Sequence, residues 1–216
     1  TFKIEWVGMP KIVDHDARRA AIAEALWRVA ERDGVEGVTM RAVAREAGWS
    51  TGVVTHYFTD MDALTTHSFA LVQRAMADRA ERAYARAATP RTGVRAALAQ
   101  ALPLDRDRRR EATVWFGHLE RARRSPAVGA VARDHYTNWR TAVSAQVAAA
   151  WPLLPGPRDV ADELIALVDG IAVRALAIPR ALPRSAQLGM LDRALANIDA
   201  AAGLHAGGAR TKMGHG

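Results

Sequence analysis

The chain has 216 residues, half of them apolar, so it is long and hydrophobic enough to fold around a sizeable core and is not a disordered protein. It contains no cysteine, which excludes disulfides and thiolate metal sites and fits a reducing cytoplasm. The net charge of +7 suits a nucleic-acid partner, but residues 9–66 hold nine acidic against seven basic side chains, so overall charge does not indicate DNA binding by itself.

The first predicted element is a helix over residues 14–33, which follows an N-terminal extension of residues 1–13. Ile22, Leu26 and Val29 recur at helical spacing and give this helix one apolar face. Residues 1–8 precede a Met-Pro-Lys sequence that is typical of a translation start, and we interpret them as an upstream extension or a cloning remnant.

Two short helices joined by a tight turn are predicted next. They cover residues 40–47 and 51–57. Thr39 can cap the first helix, and Ser50 or Thr51 the second, because a hydroxyl at these positions accepts from the free amides of the following turn. Gly48 lies where the first helix must end in a left-handed residue, a conformation that costs glycine least.

The apolar pattern of these two helices is that of a helix-turn-helix, in which the second helix lies in the DNA major groove. The residues that would join them are Val43, Ala44 and Ala47 before the turn, and Trp49, Val54, Tyr57 and Phe58 after it. The outward positions of the second helix are small or polar, as a surface that approaches base edges should be: Thr51, Gly52, Val53, Thr55 and His56. On spacing alone, an ordinary corner between two helices of a bundle remains the alternative.

The rest of the chain is predicted to be helical, because no period-2 alternation lasts long enough for a sheet. The predicted helices cover residues 60–87, 92–102, 111–124, 128–151, 158–178 and 185–201, with a charged break over 103–110. A glycine-rich tail over 203–216 is predicted to be flexible. The predicted fold is therefore all-α with about nine helices, and a head over residues 14–66 is joined by a long helix to a second domain over 67–202.

The chain shows neither a membrane segment nor a catalytic pattern. Asp169 and Arg174, or Pro152 and Pro155, interrupt its longest apolar stretches, and no export signal is visible. Glycine-rich phosphate loops and the common hydrolase and metalloprotease motifs are absent. The nearest approaches to a ligand pair are His118 with Glu120, and Asp134 with His135, whose spacing points the side chains apart on a helix. We therefore expect no enzyme, no metal, no cofactor and no membrane partner.

The stretch TMRAVAREAGWSTGVVTHYFTDMDAL over residues 39–64 resembles the DNA-binding signature of the TetR family of one-component transcriptional regulators. The segments VWFGHLERARRSPAV from Val114 and LIALVDGIAVRALA from Leu164 resemble the ligand domain of its BetI-like branch. The resemblance covers residues 10–66 well and 90–200 in part. It implies a cytoplasmic homodimer with a C-terminal helical ligand-binding and dimerisation domain. It also implies a repressor that a small-molecule inducer releases from a palindromic double-stranded DNA operator.

Matching to the family's motif assigns DNA contacts within and around the two short helices. Bases would face Thr51, Val53, Thr55 and His56, and the phosphate backbone would be met by Thr39, Arg41, Ser50 and Tyr57. Tyr57 could instead only pack the head, His56 could be a solvated surface residue, and Trp49 is more typical of a core plug than of a base contact.

Two positions depart from the family pattern. The family usually has tyrosine where this chain has Thr55, and lysine, a phosphate contact, where it has Met61. Arg41, Arg45 or Lys11 could supply the missing charge. The rival interpretation is a helical small-molecule-binding protein or enzyme whose head no longer reads DNA. An activator, rather than a repressor, is a narrower alternative that the sequence leaves open.

In the family, the inducer pocket lies among the helices of the second domain. The residues matched to it here are Trp115, Phe116, His118, Leu119, Tyr136, Trp139 and Arg174. A cavity ringed by aromatic side chains with a few polar groups is the usual small-molecule site. His118 is the preferred polar member, with Arg174 and Glu120 behind it. The alternative is that these aromatic residues only fill the core of the bundle.

A dimer face is predicted on the last two helices, which form a four-helix bundle across a two-fold axis in the family. The apolar residues assigned to it are Leu164, Leu167, Val168, Ile171, Leu176, Leu188, Leu191 and Leu195. Gly170 and Ala172 would let a partner helix approach closely. Packing within the subunit is the alternative for part of this stripe. A dimer is required because paired recognition helices match half-sites about 34 Å apart.

Overall fold

The computed structural model describes residues 14–213, and the side chains of residues 14–203. The predicted N-terminal extension lies outside the described residues, as does the end of the predicted tail. The described part of the chain has nine α-helices and no strand, as predicted. These helices are α1 His15–Asp33, α2 Met40–Ala47, α3 Thr51–Tyr57, α4 Met61–Ala85, α5 Pro90–Leu98, α6 Arg106–Ala122, α7 Pro126–Ala150, α8 Pro157–Ala177 and α9 Arg184–Met213.

The head consists of α1, α2, α3 and the start of α4, packed around one small core. Fully enclosed apolar residues from each helix form this core: Ile22, Ala25 and Leu26 from α1, Val43 and Ala44 from α2, Val54 from α3, Phe58 after it, and Leu64 from α4. Ala44 is small where α2 meets α1 and α3, which allows the close crossing expected from the sequence.

The second domain is built from α5 to α9 together with the distal part of α4, which has 25 residues and is therefore about 37 Å long. Its core is a separate cluster that includes Leu98, Val147, Leu164, Ile171 and Leu191, all nearly inaccessible to solvent. The last helix is fastened to α5 by two arginine–aspartate pairs, Arg95 with Asp192 and Arg91 with Asp199. The long α4 thus belongs to both cores and joins the head to the second domain.

Helix α6 begins at Arg106, five residues before its predicted start, so the supposed charged break is the first turn of a helix. The Asp105 carboxylate caps it by accepting from the Arg108 amide at 2.9 Å. The arginines of this turn are partnered across the surface: Arg106 and Arg110 both pair with Glu31 of α1. A run of charges was therefore mistaken for a loop because its partners lie on a distant helix.

The other boundaries agree with the sequence to within a few residues, apart from two. Helix α5 ends at Leu98 and continues as a single 3₁₀ turn, Ala99–Ala101, and α9 continues to Met213, well beyond residue 201, where the prediction ended it. None of the described helices has the length and apolar character that crossing a membrane requires.

Candidate DNA-reading surface and ligand cavity

The turn between α2 and α3 has the hydrogen bonds that the sequence predicts. The Thr39 hydroxyl accepts from the Ala42 amide at 3.1 Å, and the Ser50 hydroxyl accepts from the Val53 amide at 3.3 Å. Gly48 takes the left-handed conformation, with φ 73° and ψ 24°, and closes α2. These caps satisfy the free amides of both short helices and fix the angle between them.

Helix α3 is held in the head by its inward side and by two arginines of α1. Val54 and Phe58 are fully buried. The Arg19 guanidinium donates to the Tyr57 carbonyl at 2.9 Å and lies 4.4 Å from the centre of the Phe58 ring. Arg18 lies 5.0 Å from the Trp49 ring. The seven-residue helix is thus anchored at both ends, which leaves its opposite face to solvent.

The residues predicted to contact DNA lie together on that exposed face. Thr51, Val53, Thr55 and His56 of α3 are exposed, and so are Thr39, Arg41 and Ser50 around it. The Thr55 hydroxyl donates to the Gly52 carbonyl at 3.1 Å, which leaves its oxygen free to accept. Tyr57 is half-buried, with its ring against His15 and His56, so it packs the head while reaching the same surface.

The two departures from the family pattern have different consequences for this surface. Thr55 stands at the centre of the exposed face, whereas Met61 is partly buried against the core of the head and presents no charge. Arg41 and Arg45 are exposed, and neither makes an ion pair with any described residue. Both remain available to a phosphate, while Lys11 lies outside the described residues.

Aromatic side chains from α4, α6 and α7 gather in the second domain. Phe69 of α4 stacks against two rings of α6, with centroid distances of 5.0 Å to Trp115 and 4.0 Å to His118. Trp115 meets His135 edge-on at 4.9 Å and Tyr136 at 5.3 Å, and Tyr136 stacks on Trp139 at 6.3 Å. Four of these rings, those of Phe69, Trp115, His135 and Trp139, line a cavity of only about 30 Å³, so the surrounding side chains nearly fill it.

Asp169 of α8 is the acidic member of this group. Its carboxylate accepts from the Tyr136 hydroxyl at 2.5 Å and from the Trp115 indole N–H at 3.4 Å. No described residue forms an ion pair with it. Burial therefore raises the pKa of Asp169 above its usual range, although both hydrogen bonds oppose the rise. Burial and the neighbouring carboxylate raise the pKa of Tyr136 in turn, which keeps the phenol protonated.

The structure brings only part of the predicted pocket to this cavity. Trp115 and Trp139 line it, and Tyr136 lies beside it. His118 is fully buried against Phe69, and neither of its ring nitrogens is hydrogen-bonded to a residue that the structure describes, so it is a core residue behind the cavity. Phe116 and Leu119 do not line the cavity, and Arg174 is exposed on α8.

Sequence reasoning missed several lining residues, chiefly Phe69, Gln73, Met76, His135 and Asp169. Asp169 did carry a signal. It is an acidic residue within the apolar run LIALVDGIAV, and it was interpreted only as an interruption of a membrane segment. An isolated carboxylate on a helix face that must be buried indicates a polar partner, from the protein or from a ligand.

The predicted dimer face needs a larger correction. Five of its eight residues are 2% exposed or less within a single subunit: Leu164, Val168, Ile171, Leu191 and Leu195. A side chain that is already enclosed by its own subunit has no surface to offer a partner, so these five belong to the core. Leu167, Leu176 and Leu188 are half-buried and stay at the edge of α8 and α9.

A different stripe of α8 faces solvent. It consists of Ala166, Gly170, Val173 and Ala177, which recur at helical spacing on one side. Val173 is 47% exposed, and a side chain added at Gly170 would meet no atom within 4 Å. Ala196 and Ala200 of α9 are exposed as well. One exposed stripe of α8 is therefore made of small apolar residues rather than of leucine, with charged residues such as Asp162 and Arg174 exposed on either side of it.

The head rests on α6, the helix that also carries Trp115. A Cβ at Gly117 would lie 2.9 Å from the Cγ1 of Val35, so a side chain at this position would force Val35 to move where α6 meets the turn after α1. Glu31 pairs with two arginines of α6, and Arg121 of α6 pairs with Asp62 at the start of α4. One rigid element thus contacts both the aromatic cavity and the DNA-reading head.

The buried histidines predict a loss of stability in acid. Burial lowers the pKa of His118 to about 4, and burial followed by the proximity of His118 lowers that of His135 to about 4. Both pKa values are near 6.5 in the unfolded chain. Between about pH 6.5 and about pH 4, both histidines are therefore protonated in the unfolded state but neutral in the folded state. The free energy of unfolding consequently decreases as the pH falls through that range.

Substituting His118 by leucine should remove its share of this effect, about 3 kcal/mol at pH 4, with no loss at pH 7 because the buried ring nitrogens have no partners. Denaturant unfolding of both proteins at pH 7 and pH 4 measures the difference. Equal pH dependence in wild type and His118→Leu would contradict the assignment.

Comparisons with known proteins agree with this geometry. The chain matches the family description "Bacterial regulatory proteins, tetR family" over residues 22–66 and "BetI-type transcriptional repressor, C-terminal" over residues 90–200. It is 34% identical to the HTH-type transcriptional regulator PksA of Bacillus subtilis (strain 168), over 79% of this chain and 84% of that protein. It is 29% identical to the regulator BetI of Burkholderia cenocepacia (strain HI2424), over 77% and 86%.

Solved structures show the same fold. A transcriptional regulator from Rhodococcus sp. Rha1 superposes with a TM-score of 0.78 at 31% identity, over 83% of this chain and 95% of that one. A transcriptional regulator from Saccharomonospora viridis in complex with choline has a TM-score of 0.75 at 20% identity, over 82% and 95%. The fold of this chain, a capped helix-turn-helix followed by a helical second domain, agrees with these comparisons. The chain therefore belongs to the TetR family of DNA-binding transcriptional regulators, which are not enzymes.

Proposed function

We propose that the protein is a homodimeric repressor that binds a two-fold symmetric operator and leaves it when a small molecule enters the aromatic cavity. The observation that carries this proposal is the outward face of α3, where Thr51, Val53, Thr55 and His56 are exposed on a helix anchored by Val54 and Phe58. These side chains are short enough for the helix to approach base edges in a major groove. Such a regulator works where its operator is, in the cytoplasm.

The dimer would form on the exposed stripe of α8 and α9. Small residues at Ala166, Gly170 and Val173 let two copies of α8 approach closely across a two-fold axis, where the same patch meets itself. Leu167, Leu176 and Leu188 would be covered at its edges. This face belongs to the second domain and not to the head, so a dimer formed on it would leave both recognition helices free to bind DNA.

The rings of the aromatic cavity would receive the inducer. The choline complex of the Saccharomonospora viridis regulator supports a small-molecule ligand for this chain. The cavity is nearly filled, so a ligand must displace Trp115 or its neighbours, and α6 must shift with them. The ligand therefore prefers the shifted arrangement, and only this difference in affinity can move the equilibrium away from the DNA-binding one.

The contact between Gly117 and Val35 would pass this shift to the head. We expect Gly117→Leu to push the turn at Val35 away from α6 and to lower operator affinity on the order of 10-fold, within the range of typical coupling energies. Adding Val35→Ala to the same protein should restore the affinity, because it clears the space that the leucine needs. Fluorescence anisotropy with operator DNA measures both. An unchanged affinity in Gly117→Leu would show that this contact does not transmit the shift of α6 to the head.

Selection of DNA from a random duplex library with the purified protein tests the proposed function. A two-fold symmetric sequence should be enriched, with half-sites spaced by about one helical turn or a multiple of it. Footprinting of the DNA that flanks the protein's own gene should then protect a matching site. If neither experiment finds a sequence preference at moderate salt, the head does not read DNA, and a ligand-binding protein with an inactive head becomes the better interpretation.

A further inference from the structure

A second cavity lies between the head and α6, and its volume is about 380 Å³, against about 30 Å³ for the aromatic cavity. We call it the junction cavity. On one side it is lined by Leu26, Ala30 and Val38 of the head, and on the other by Val114 and Gly117 of α6. Small-molecule sites in proteins have volumes from roughly 300 Å³ upward, so the junction cavity has the size of a binding site.

Much of the lining is apolar, and it belongs to both domains. Leu26, Ala30 and Val114 line the cavity although each is only 4% exposed. Val38 and Met61 line it as well and are half-buried. An apolar body placed there would cover surface of the head and of α6 at once, and the removal of apolar surface from water favours binding.

The charges on the walls of the junction cavity are already paired with each other. Arg121 of α6 pairs with Asp62 at the start of α4, and Arg124 pairs with Glu120 at 2.8 Å. Glu36 also lines the cavity, but it is exposed, so water and salt screen its charge. An ion that entered the cavity would therefore lose hydration without meeting an unpaired, unscreened charge of opposite sign, which favours a neutral ligand.

Two threonine hydroxyls provide polar contacts for such a ligand. Thr65 lines the cavity and is 9% exposed, and its hydroxyl forms no hydrogen bond with a described residue. The Thr65 oxygen is not among the fully enclosed polar atoms, so it can be reached from outside the protein. The Thr113 hydroxyl donates to the Arg109 carbonyl at 3.0 Å, which leaves its oxygen free to accept. A ligand hydroxyl could accept from Thr65 and donate to Thr113.

We propose that the junction cavity is a second small-molecule site, distinct from the aromatic cavity, and that its ligand is a neutral organic molecule with an apolar body and a hydroxyl group. The apolar body lies between Leu26 and Val114, and the hydroxyl group lies at Thr65. Trp115, which lines the aromatic cavity, does not line this one, so the two sites use different faces of α6.

The ligand would hold the head against α6, because it contacts both and fits the arrangement seen in the structure. In the proposed function the inducer shifts α6, so the unshifted arrangement is the one that binds the operator. A molecule in the junction cavity therefore favours operator binding and opposes the inducer. This regulatory effect rests on the proposed function, whereas binding to the cavity does not.

Methionine methyl groups report which cavity a molecule enters, because Met61 lines the junction cavity and Met76 lines the aromatic one. The probes are 3-phenylpropan-1-ol and hexan-1-ol, titrated into the intact protein labelled with ¹³C at its methionine methyl groups, with Met61→Leu and Met76→Leu used for assignment. At least one alcohol should shift the Met61 signal, with a dissociation constant on the order of 1 mM or tighter for a molecule of this size. A shift of Met76 alone, or no binding of either alcohol, overturns the proposal.

The preference for a neutral ligand is tested with two charged molecules that have the same body. At pH 7, 3-phenylpropanoate and 3-phenylpropylammonium should each bind at least about 10-fold more weakly than 3-phenylpropan-1-ol, because neither ion finds an unpaired charge in the cavity. Constant ionic strength keeps the comparison fair. Equal or tighter binding of either ion contradicts the proposed class of ligand.

The Thr65→Val variant tests the hydroxyl contact, since valine keeps the shape of threonine and removes its oxygen. Its affinity for 3-phenylpropan-1-ol should fall about 3- to 10-fold, the range of one neutral hydrogen bond. Thr66→Val is the matched control, because Thr66 lies next to it on α4 and lines neither cavity, and it should bind like the wild type. Thermal unfolding of each protein shows that it is folded. An unchanged affinity in Thr65→Val rules out the assigned contact.

The regulatory effect is measured with the operator selected for this protein. An alcohol at a concentration that saturates the Met61 shift should raise operator affinity at least about 5-fold, the lower end of typical coupling between two sites. The same concentration of 3-phenylpropanoate should have no such effect. Operator binding that the bound alcohol leaves unchanged or weakens would overturn the regulatory role and leave the repressor standing. A Met61 shift in a protein without any sequence preference for DNA would instead overturn the repressor and leave the site standing.

Discussion

Replacing Val173 with arginine is expected to make the proposed dimer dissociate to a monomer and to weaken operator binding by about 10²- to 10⁴-fold. Val173 is 47% exposed at the centre of the small-residue stripe of α8, where two copies would meet. A symmetric interface places each new arginine near its equivalent in the partner, so both charges are desolvated together with no carboxylate opposite. The two heads are then no longer linked, so each half-site is bound independently. The affinity gained by linking the two heads is lost.

Light scattering after gel filtration gives the mass of each variant, and anisotropy gives the affinity for the full operator and for a single half-site. Leu153→Arg is the matched control, since Leu153 is an exposed apolar residue, 62% accessible, in the connection between α7 and α8 and away from the stripe. It should leave both the mass and the affinity unchanged. A Val173→Arg protein that remains dimeric would show that the interface lies on another surface.

The head could be predicted almost completely from the sequence because its determinants are local. Each cap acts within three residues, as Thr39 does on the Ala42 amide, and Gly48 ends α2 through its own conformation. The inward residues of α3 are separated from the outward ones by simple helical periodicity. Such signals do not depend on which distant helix packs nearby, so the sequence alone distinguishes the exposed face that carries Thr55 and His56.

The aromatic cavity could not be predicted in the same way, because its members are brought together by contacts across long stretches of chain. Phe69 and Asp169 are one hundred residues apart and meet only through Trp115. Helical spacing gives the direction of a side chain on its own helix but not the neighbour that it meets. The prediction therefore took Phe116 and Leu119 along with Trp115, although neither lines the cavity.

The predicted dimer face included core residues for a related reason. Helices α8 and α9 have apolar residues on more than one side, and leucine is equally suited to a core and to an interface. The larger apolar side chains fill the subunit core, among them Leu164, Leu191 and Leu195. They are therefore buried in the single subunit and are not available to a partner. One stripe on the outside of α8 consists of alanine, glycine and valine, and the small size of these residues is the better sign of close helix approach.

Substituting both Thr55 and His56 by alanine is expected to lower affinity for the selected operator about 100-fold or more, while affinity for unrelated DNA changes little. Both side chains are exposed on α3, so the fold should be retained, and alanine favours the helix slightly. Their loss removes contacts to base edges in both half-sites but no contact to phosphate. Thr137→Ala, at an exposed position of α7 in the second domain, is the control and should bind operator normally.

The dependence on salt separates base contacts from phosphate contacts on the same surface. Arg41→Ala removes one exposed cation at the start of α2, so it should weaken binding to operator and to unrelated DNA alike and reduce the slope of affinity against salt by about one unit per half-site. Thr55→Ala/His56→Ala should leave that slope unchanged and lose only the preference for the operator. If the double variant keeps its preference, specificity comes from elsewhere on the head, because a helix that reads sequence cannot lose its central side chains and still distinguish one site from another.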